Sequence, residues 1–145
     1  ILNSDFVIIG PGDLYTSIIP NLLCSGMREA LRETQARIVY VCSIMTKFGE
    51  TNGFCVEDFV RVLDQYLDAD CLDYVLVNNG ELRPDLLQKY EIEGKAPVRL
   101  KRREGLLDRG IKIVERDFTS DTDYIRHDPR KLARAVEDFA SGWIR

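Results

Sequence analysis

Residues Asp5–Ser17 read DFVIIGPGDLYTS, and this stretch decides the fold. Phe6–Ile9 is a short apolar run rich in β-branched residues, as is typical of a strand buried on both faces of a sheet. The run breaks into Gly10-Pro11-Gly12 and continues into hydroxyl and polar side chains. Open α/β sheets build ligand sites in such loops, at the carboxyl ends of their strands. An ordinary strand-ending turn also fits, since the spacing matches neither a Walker loop nor a dinucleotide fingerprint.

Strand patterns alternate with helix patterns along the rest of the chain. Three further buried strands are predicted, at Ile38–Cys42, Tyr74–Val77 and Ile111–Val114. Apolar residues at helical spacing predict helices between them, around Met27–Leu31, over Val56–Leu67 and over Pro84–Tyr90. One or two short helical turns are predicted within Leu14–Leu23, and residues 91–109 are predicted to be loop and edge structure. The alternation predicts one α/β domain with a mostly parallel sheet that helices cover on both sides.

Composition excludes several classes of protein. The 145 residues are 45% hydrophobic and 30% charged, as in a soluble globular protein. A net charge of −4 argues against a nucleic-acid partner, because such binders are usually basic. No apolar run is long enough to insert into a membrane. The four cysteines form no CxxC pair and the single histidine cannot complete a zinc set, so we expect no metal and reduced thiols in a cytoplasmic protein.

The last predicted helix has the clearest start signal in the chain. Asp128 can cap it, Pro129 occupies its first position, and its apolar face extends to Trp143. Arg126 and His127 precede the cap, and an arginine beside a helix amino terminus favours phosphate. A surface ion pair for Arg126 and an ordinary polar contact for His127 remain alternatives. No Ser-His-Asp triad follows, because nothing in the sequence shows that such residues meet.

Two long motifs and the tail of this chain resemble one known family. GPGDLYTSIIPNLL (Gly10–Leu23), VCSIMTKFGETNGF (Val41–Phe54) and IRHDPRKLARAV (Ile125–Val136) are similar, in this order, to the signatures of the YvcK-type gluconeogenesis factors. These factors belong to the superfamily of 2-phospho-L-lactate transferases. The resemblance covers nearly the whole chain but only the carboxyl-terminal half of the family. We therefore expect a single domain that corresponds to the carboxyl-terminal part of a longer protein.

The resemblance implies a Rossmann-like three-layer α/β/α fold that binds a UDP-sugar such as UDP-N-acetylglucosamine. It also implies a role linking carbon metabolism to cell-wall synthesis and cell shape, with no reaction and no other cofactor firmly attached. By motif position, the family's tyrosine and arginine contacts to the UDP-sugar fall on Tyr90 and Arg126. By the same matching, two loops are expected to bind the ligand. The phosphate-side loop contains Gly10, Gly12, Tyr15, Thr16 and Ser17. The second loop contains Thr46, Gly49, Glu50 and Thr51.

This chain departs from the family pattern in both loops. The family usually has serine where this chain has Asp13, and a carboxylate repels phosphate unless it faces a cation or solvent. In the second loop, Lys47-Phe48 stands where the family commonly has glutamine and proline. The family's RHN reads Arg126-His127-Asp128 here, which keeps a good helix cap.

Three functions are compatible with these residues. The favoured one is a non-catalytic, regulatory UDP-sugar-binding protein. The second is a transferase that moves a phospholactyl-type group from a nucleotide diphosphate donor, although its active branch has a serine-asparagine-proline run in the first loop. The third is an interaction module with a vestigial pocket. An exposed sheet edge would also favour a homo-oligomer.

Overall fold

The computed structural model describes residues 1–68 and 70–142, and its centre is a four-stranded parallel sheet. The strands follow one another across the sheet in chain order, and they are β1 (Phe6–Ile9), β2 (Arg37–Val41), β3 (Tyr74–Asn78) and β4 (Lys112–Arg116). The register places Ile8 beside Val39 and Tyr40 beside Val75. Because all four strands run the same way, the loops that follow them leave the sheet at one edge.

Short helices connect the strands. A five-residue turn of π-helix type (Leu14–Ile18) follows β1 and leads directly into the first helix. The helices are α1 (Ile19–Leu22), α2 (Met27–Glu33), α3 (Val56–Leu63), α4 (Pro84–Ile92), α5 (Arg103–Leu107) and α6 (Pro129–Ala140). No helix among the described residues is long and apolar enough to cross a membrane.

One face of the sheet carries most of the core. Alternate strand residues such as Ile38, Tyr40 and Val75 pack there against α1, α2, α3 and α5. This arrangement follows from the strand order, because successive right-handed crossovers between neighbouring parallel strands place their helices on the same face. The opposite strand residues form a smaller core with α6, through Ala135 and Phe139. Among the described residues, helix α6 therefore supplies the third layer.

The predicted fold class is confirmed, and the sheet is wholly parallel within the described residues. Two details differ from the sequence prediction. The segment 91–109 contains a short helix, α5, whose Leu106 is buried in the main core. Helix α3 ends at Leu63 rather than near Leu67, because the chain then turns, although Leu67 itself stays buried. Trp143, which we predicted on the face of the last helix, lies outside the described residues.

Candidate functional site

The loops after β1 and β2 border a cavity of about 770 Å³ at the carboxyl edge of the sheet. The segment that leads into α6 forms another wall, and the side of α4 closes the space. Both predicted loops therefore meet at one site with the predicted arginine. The lining residues are Pro11, Gly12, Asp13, Ser17, Ser43, Met45, Thr46, Lys47, Phe48, Tyr90, Lys95, Ile125, Arg126 and His127.

The first loop needs its glycines for steric reasons. Gly10 has a φ of +88°, and a Cβ built there would lie 3.1 Å from the carbonyl oxygen of Val41 in β2. A Cβ on Gly12 would lie 3.1 Å from the Cβ of Ser17. The turn that follows is wound wider than an α-helix, since the Ile18 N–H donates to the carbonyl of Asp13 over 3.0 Å. The backbone of the first loop is therefore closely packed against β2 and against the turn that follows it.

The second loop is a tight turn fixed by threonine side chains. The Lys47 N–H donates to Thr51 Oγ1 at 2.8 Å, and the Thr51 N–H donates back to the Lys47 carbonyl at 3.0 Å. Thr46 N donates to the Ala96 carbonyl at 2.7 Å, and Thr46 Oγ1 accepts from the Ala96 N–H at 2.8 Å. Both threonines are buried. Their hydroxyl groups therefore hold the backbone of the loop in place.

Arg126 is positioned by a short antiparallel pairing of the chain with itself. The Ser120 N–H donates to the Arg126 carbonyl at 2.9 Å, and the Asp128 N–H donates to the Phe118 carbonyl at 2.7 Å. The Arg126 guanidinium lies over the Tyr124 ring, 5.1 Å from its centroid. Within residues 1–68 and 70–142, no carboxylate forms an ion pair with Arg126. Its charge is therefore available to an anion in the cavity.

Lys47 joins the two loops. Its Nζ lies 2.8 Å from Asp13 Oδ2, 2.8 Å from Glu50 Oε1 and 3.1 Å from Thr16 Oγ1. The hydrogen bonds to the two carboxylates, Asp13 first, raise the pKa of the Lys47 ammonium. Asp13 and Lys47, two of the residues at which this chain departs from the family pattern, are thus in contact, and Asp13 faces a cation.

His127 makes an ordinary polar contact. Its Nε2 lies 3.1 Å from the carbonyl oxygen of Cys42, at the end of β2, and burial lowers the pKa of the imidazole despite that hydrogen bond. A neutral ring with Nε2–H donating to the carbonyl follows, because a carbonyl oxygen accepts and cannot donate. The histidine thereby ties the entrance of α6 to the second loop.

Protonation of His127 is expected to destabilise the fold. Because the pKa is lower in the folded chain than in the unfolded one, this contribution to stability is complete above about pH 6.5 and is lost as the pH falls through the folded-state pKa. Urea unfolding between about pH 7.5 and pH 5 should show a decline that His127→Gln reduces. Identical pH dependence in both proteins would contradict the assignment.

The structure brings five of the predicted site residues to the cavity, namely Gly12, Ser17, Thr46, Tyr90 and Arg126. Thr16 and Glu50 do not line it but contact Lys47, which does. The other four do not line it, and they are Gly10, Tyr15, Gly49 and Thr51. Whether any of these residues contacts a ligand stays a prediction.

Sequence reasoning left other lining residues without an assigned role. They include Ser43, Met45, Phe48, Lys95 and Ile125. Phe48 is 67% exposed, and a Cβ on Gly94 would come within 2.6 Å of its ring. The sequence did carry a signal for Phe48, because it is an aromatic residue within a loop rich in glycine and hydroxyl residues. The contact with Gly94, by contrast, joins distant parts of the chain and leaves no local pattern.

Comparison with known proteins identifies the family. A family model described as 2-phospho-L-lactate transferase CofD matches residues 1–119, which is most of the chain. The chain belongs to this transferase family. Arg126 lies beyond the matched residues, in the segment that the third motif of the sequence covers.

Relatives within the family are named gluconeogenesis factors. The chain is 43% identical over 137 residues to a putative gluconeogenesis factor of Thermoanaerobacterium thermosulfurigenes, covering 94% of this chain and 42% of the relative. It is 37% identical over 139 residues to the gluconeogenesis factor of Bacillus subtilis, covering 95% of this chain and 44% of that protein. The chain thus spans less than half the length of these relatives, and the resemblance found in the sequence is confirmed.

A solved structure shares the fold. The crystal structure of a member of the UPF0052 family from Bacillus halodurans superposes with a TM-score of 0.88 at 32% sequence identity. The match covers 94% of this chain and 44% of that one. The α/β fold described above is therefore also that of a member of the UPF0052 family.

Proposed function

We propose that this chain forms part of a nucleotide-sugar-binding regulatory protein that takes UDP-N-acetylglucosamine or a close analogue. In this proposal the protein has no catalytic role, and it links gluconeogenesis to cell-wall synthesis and cell shape. The names of its relatives support the metabolic part of the proposal, since they are gluconeogenesis factors. The ligand part is supported by the cavity.

The observation that carries the proposal is the charge of Arg126 at the cavity wall. Arg126 has no acidic partner among the described residues, so an anion can take its charge, and its planar fork suits two phosphate oxygens. Gly12 lies on the same cavity and allows close approach of a ligand to the backbone. A diphosphate is the part of a nucleotide sugar that such groups would hold.

The rest of the cavity suits the remainder of a nucleotide sugar. Its volume of about 770 Å³ falls within the range of small-molecule sites. Ser17 and Ser43 offer hydroxyl groups for a sugar, and Tyr90 and the exposed Phe48 offer aromatic faces. Asp13, whose carboxylate would repel a phosphate, pairs with Lys47 at 2.8 Å.

Calorimetric titration of the complete protein with UDP-N-acetylglucosamine tests the proposal. We expect saturable binding, and much weaker binding of N-acetylglucosamine without the diphosphate, because the sugar alone offers Arg126 no anion. Absence of measurable heat at millimolar UDP-N-acetylglucosamine, well beyond the range of a specific site, would contradict the proposal.

A second function is suggested by the family model, which is described as a 2-phospho-L-lactate transferase. In that case the same cavity would hold a nucleotide diphosphate donor and its phospholactyl group. Incubation of the complete protein with such a donor and a deazaflavin acceptor distinguishes the two functions. Transfer of the phospholactyl group would support the transferase, whereas ligand binding without transfer would support the regulatory protein.

A further inference from the structure

The Lys47 ammonium has as many close oxygen partners as it has N–H groups. A lysine ammonium carries three N–H groups, and oxygens of Asp13, Glu50 and Thr16 lie within 3.1 Å of Nζ. A phosphate in the cavity can therefore bind Lys47 only if one of these three partners leaves. Two carboxylates and one ammonium also leave this cluster with a net negative charge, which would disfavour an anion as long as both carboxylates stay in place.

Displacement of the Thr16 hydroxyl would leave both carboxylates on Lys47, so one carboxylate must leave, and burial indicates which one. The Asp13 side chain is 51% exposed, so its carboxylate can exchange Lys47 for water at little cost. The Glu50 side chain is 22% exposed, and its second oxygen is buried without a hydrogen-bond partner among the described residues. Losing Lys47 as well would leave Glu50 with a half-buried, unpaired charge, which is strongly unfavourable. Asp13 is thus the exchangeable partner and Glu50 the fixed one.

We propose that Lys47 is a phosphate-binding residue of this cavity and that Asp13 competes with the ligand for it. The ligand phosphate takes the place of the Asp13 carboxylate on Lys47 Nζ, while Glu50 keeps the ammonium in position. This inference rests on the proposed function, since it needs a phosphorylated ligand. It assigns a role to Asp13 and Lys47, two of the positions at which the loops depart from the family pattern.

Asp13 also takes part in the structure of the first loop. The carbonyl of Asp13 accepts the N–H groups of Ser17 and Ile18, so this residue begins the π-type turn. Its carboxylate and the Thr16 hydroxyl both join that turn to Lys47 in the second loop. Exchange of the carboxylate for a phosphate would remove one of these two contacts and leave the other.

The test measures affinities of the complete protein for UDP-N-acetylglucosamine and for inorganic pyrophosphate. The variants are Asp13→Ala, Lys47→Gln and the double variant. Asp85→Ala is the matched control, because Asp85 is 55% exposed and pairs with Arg83 at 2.7 Å, outside this cavity. Thermal unfolding of each variant verifies that it is folded.

Removing the competitor should strengthen binding. Asp13→Ala is expected to tighten both ligands by about two- to fivefold, the size of an exposed ion pair, and Asp85→Ala to change neither. Lys47→Gln is expected to weaken both by about tenfold or more, because a charge-assisted hydrogen bond is lost. When Lys47 is already replaced by Gln, Asp13→Ala should raise the affinity by less than half as much, since no ammonium remains for Asp13 and the ligand to compete for.

Other results would overturn the inference. An equal or larger gain from Asp13→Ala without Lys47 would mean that Asp13 acts only by repulsion. Unchanged affinity in folded Lys47→Gln would mean that Lys47 only ties the loops together. Binding of pyrophosphate but not of UDP-N-acetylglucosamine would refute the proposed function while the variants still decide the exchange, and binding of neither would refute both.

Discussion

Arg126→Ala is expected to weaken binding of UDP-N-acetylglucosamine by about 10- to 100-fold, which corresponds to about 1.5–3 kcal/mol for a lost charge-assisted hydrogen bond. The effect should be large because Arg126 faces the cavity with no carboxylate among the described residues to compensate it. Its removal therefore leaves no carboxylate without a partner and uncovers no core residue. Calorimetric titration of the complete protein measures the loss directly.

Two further variants make the Arg126 result specific. Arg126→Lys keeps the charge but lacks the planar fork, so part of the affinity should return. Arg130→Ala is the control, because Arg130 is also exposed, near the same helix start, and outside the cavity lining. A loss below tenfold for Arg126→Ala, or an equal loss for Arg130→Ala, would make Arg126 an ordinary surface residue.

Phe59→Ala is expected to lower the free energy of unfolding by about 3–5 kcal/mol, as for a large buried aromatic residue. Phe59 lies on α3 and is buried in the main core. Its ring meets that of Phe54 edge to face, with centroids 5.6 Å apart and planes at 84°. Because Phe54 ends the second loop, the substitution should also loosen the loop that carries Lys47. Chemical denaturation measures the first effect.

Phe48→Ala is the matched control for Phe59→Ala. It removes the same ring from a position that is 67% exposed, so the free energy of unfolding should change by less than about 0.5 kcal/mol. A loss below about 1 kcal/mol for Phe59→Ala would contradict the core described for α3.

The strands and the start of the last helix were predictable because their causes are local. A strand buried on both faces must be apolar along its length, and Ile38–Cys42 and Tyr74–Val77 satisfy this requirement. Asp128 caps α6 as predicted, since its Oδ1 accepts from the N–H of Arg130 at 2.7 Å and from that of Lys131 at 3.3 Å.

The site was predictable only in part, because its walls depend on distant contacts. Ligand sites are expected in loops at the carboxyl ends of the strands, and the loops after β1 and β2 do meet there. Asn78, the last residue of β3, instead points inward, where its Oδ1 accepts from the Phe118 N–H at 2.8 Å. The pairing of Asp13 with Lys47 spans 34 residues of sequence. No local periodicity encodes such a contact, and only the packed chain shows it.

The chain-order sheet has a consequence for synthesis on the ribosome. Each new strand of this chain pairs with the one made just before it, so the sheet and its main core can assemble in step with elongation. The other face, with Val39, Val41 and Leu76, stays uncovered until α6 emerges. Arg126 and His127 arrive with that same segment. Within this chain the cavity at the carboxyl edge of the sheet is therefore completed last, when α6 also covers the apolar face and protects it from aggregation.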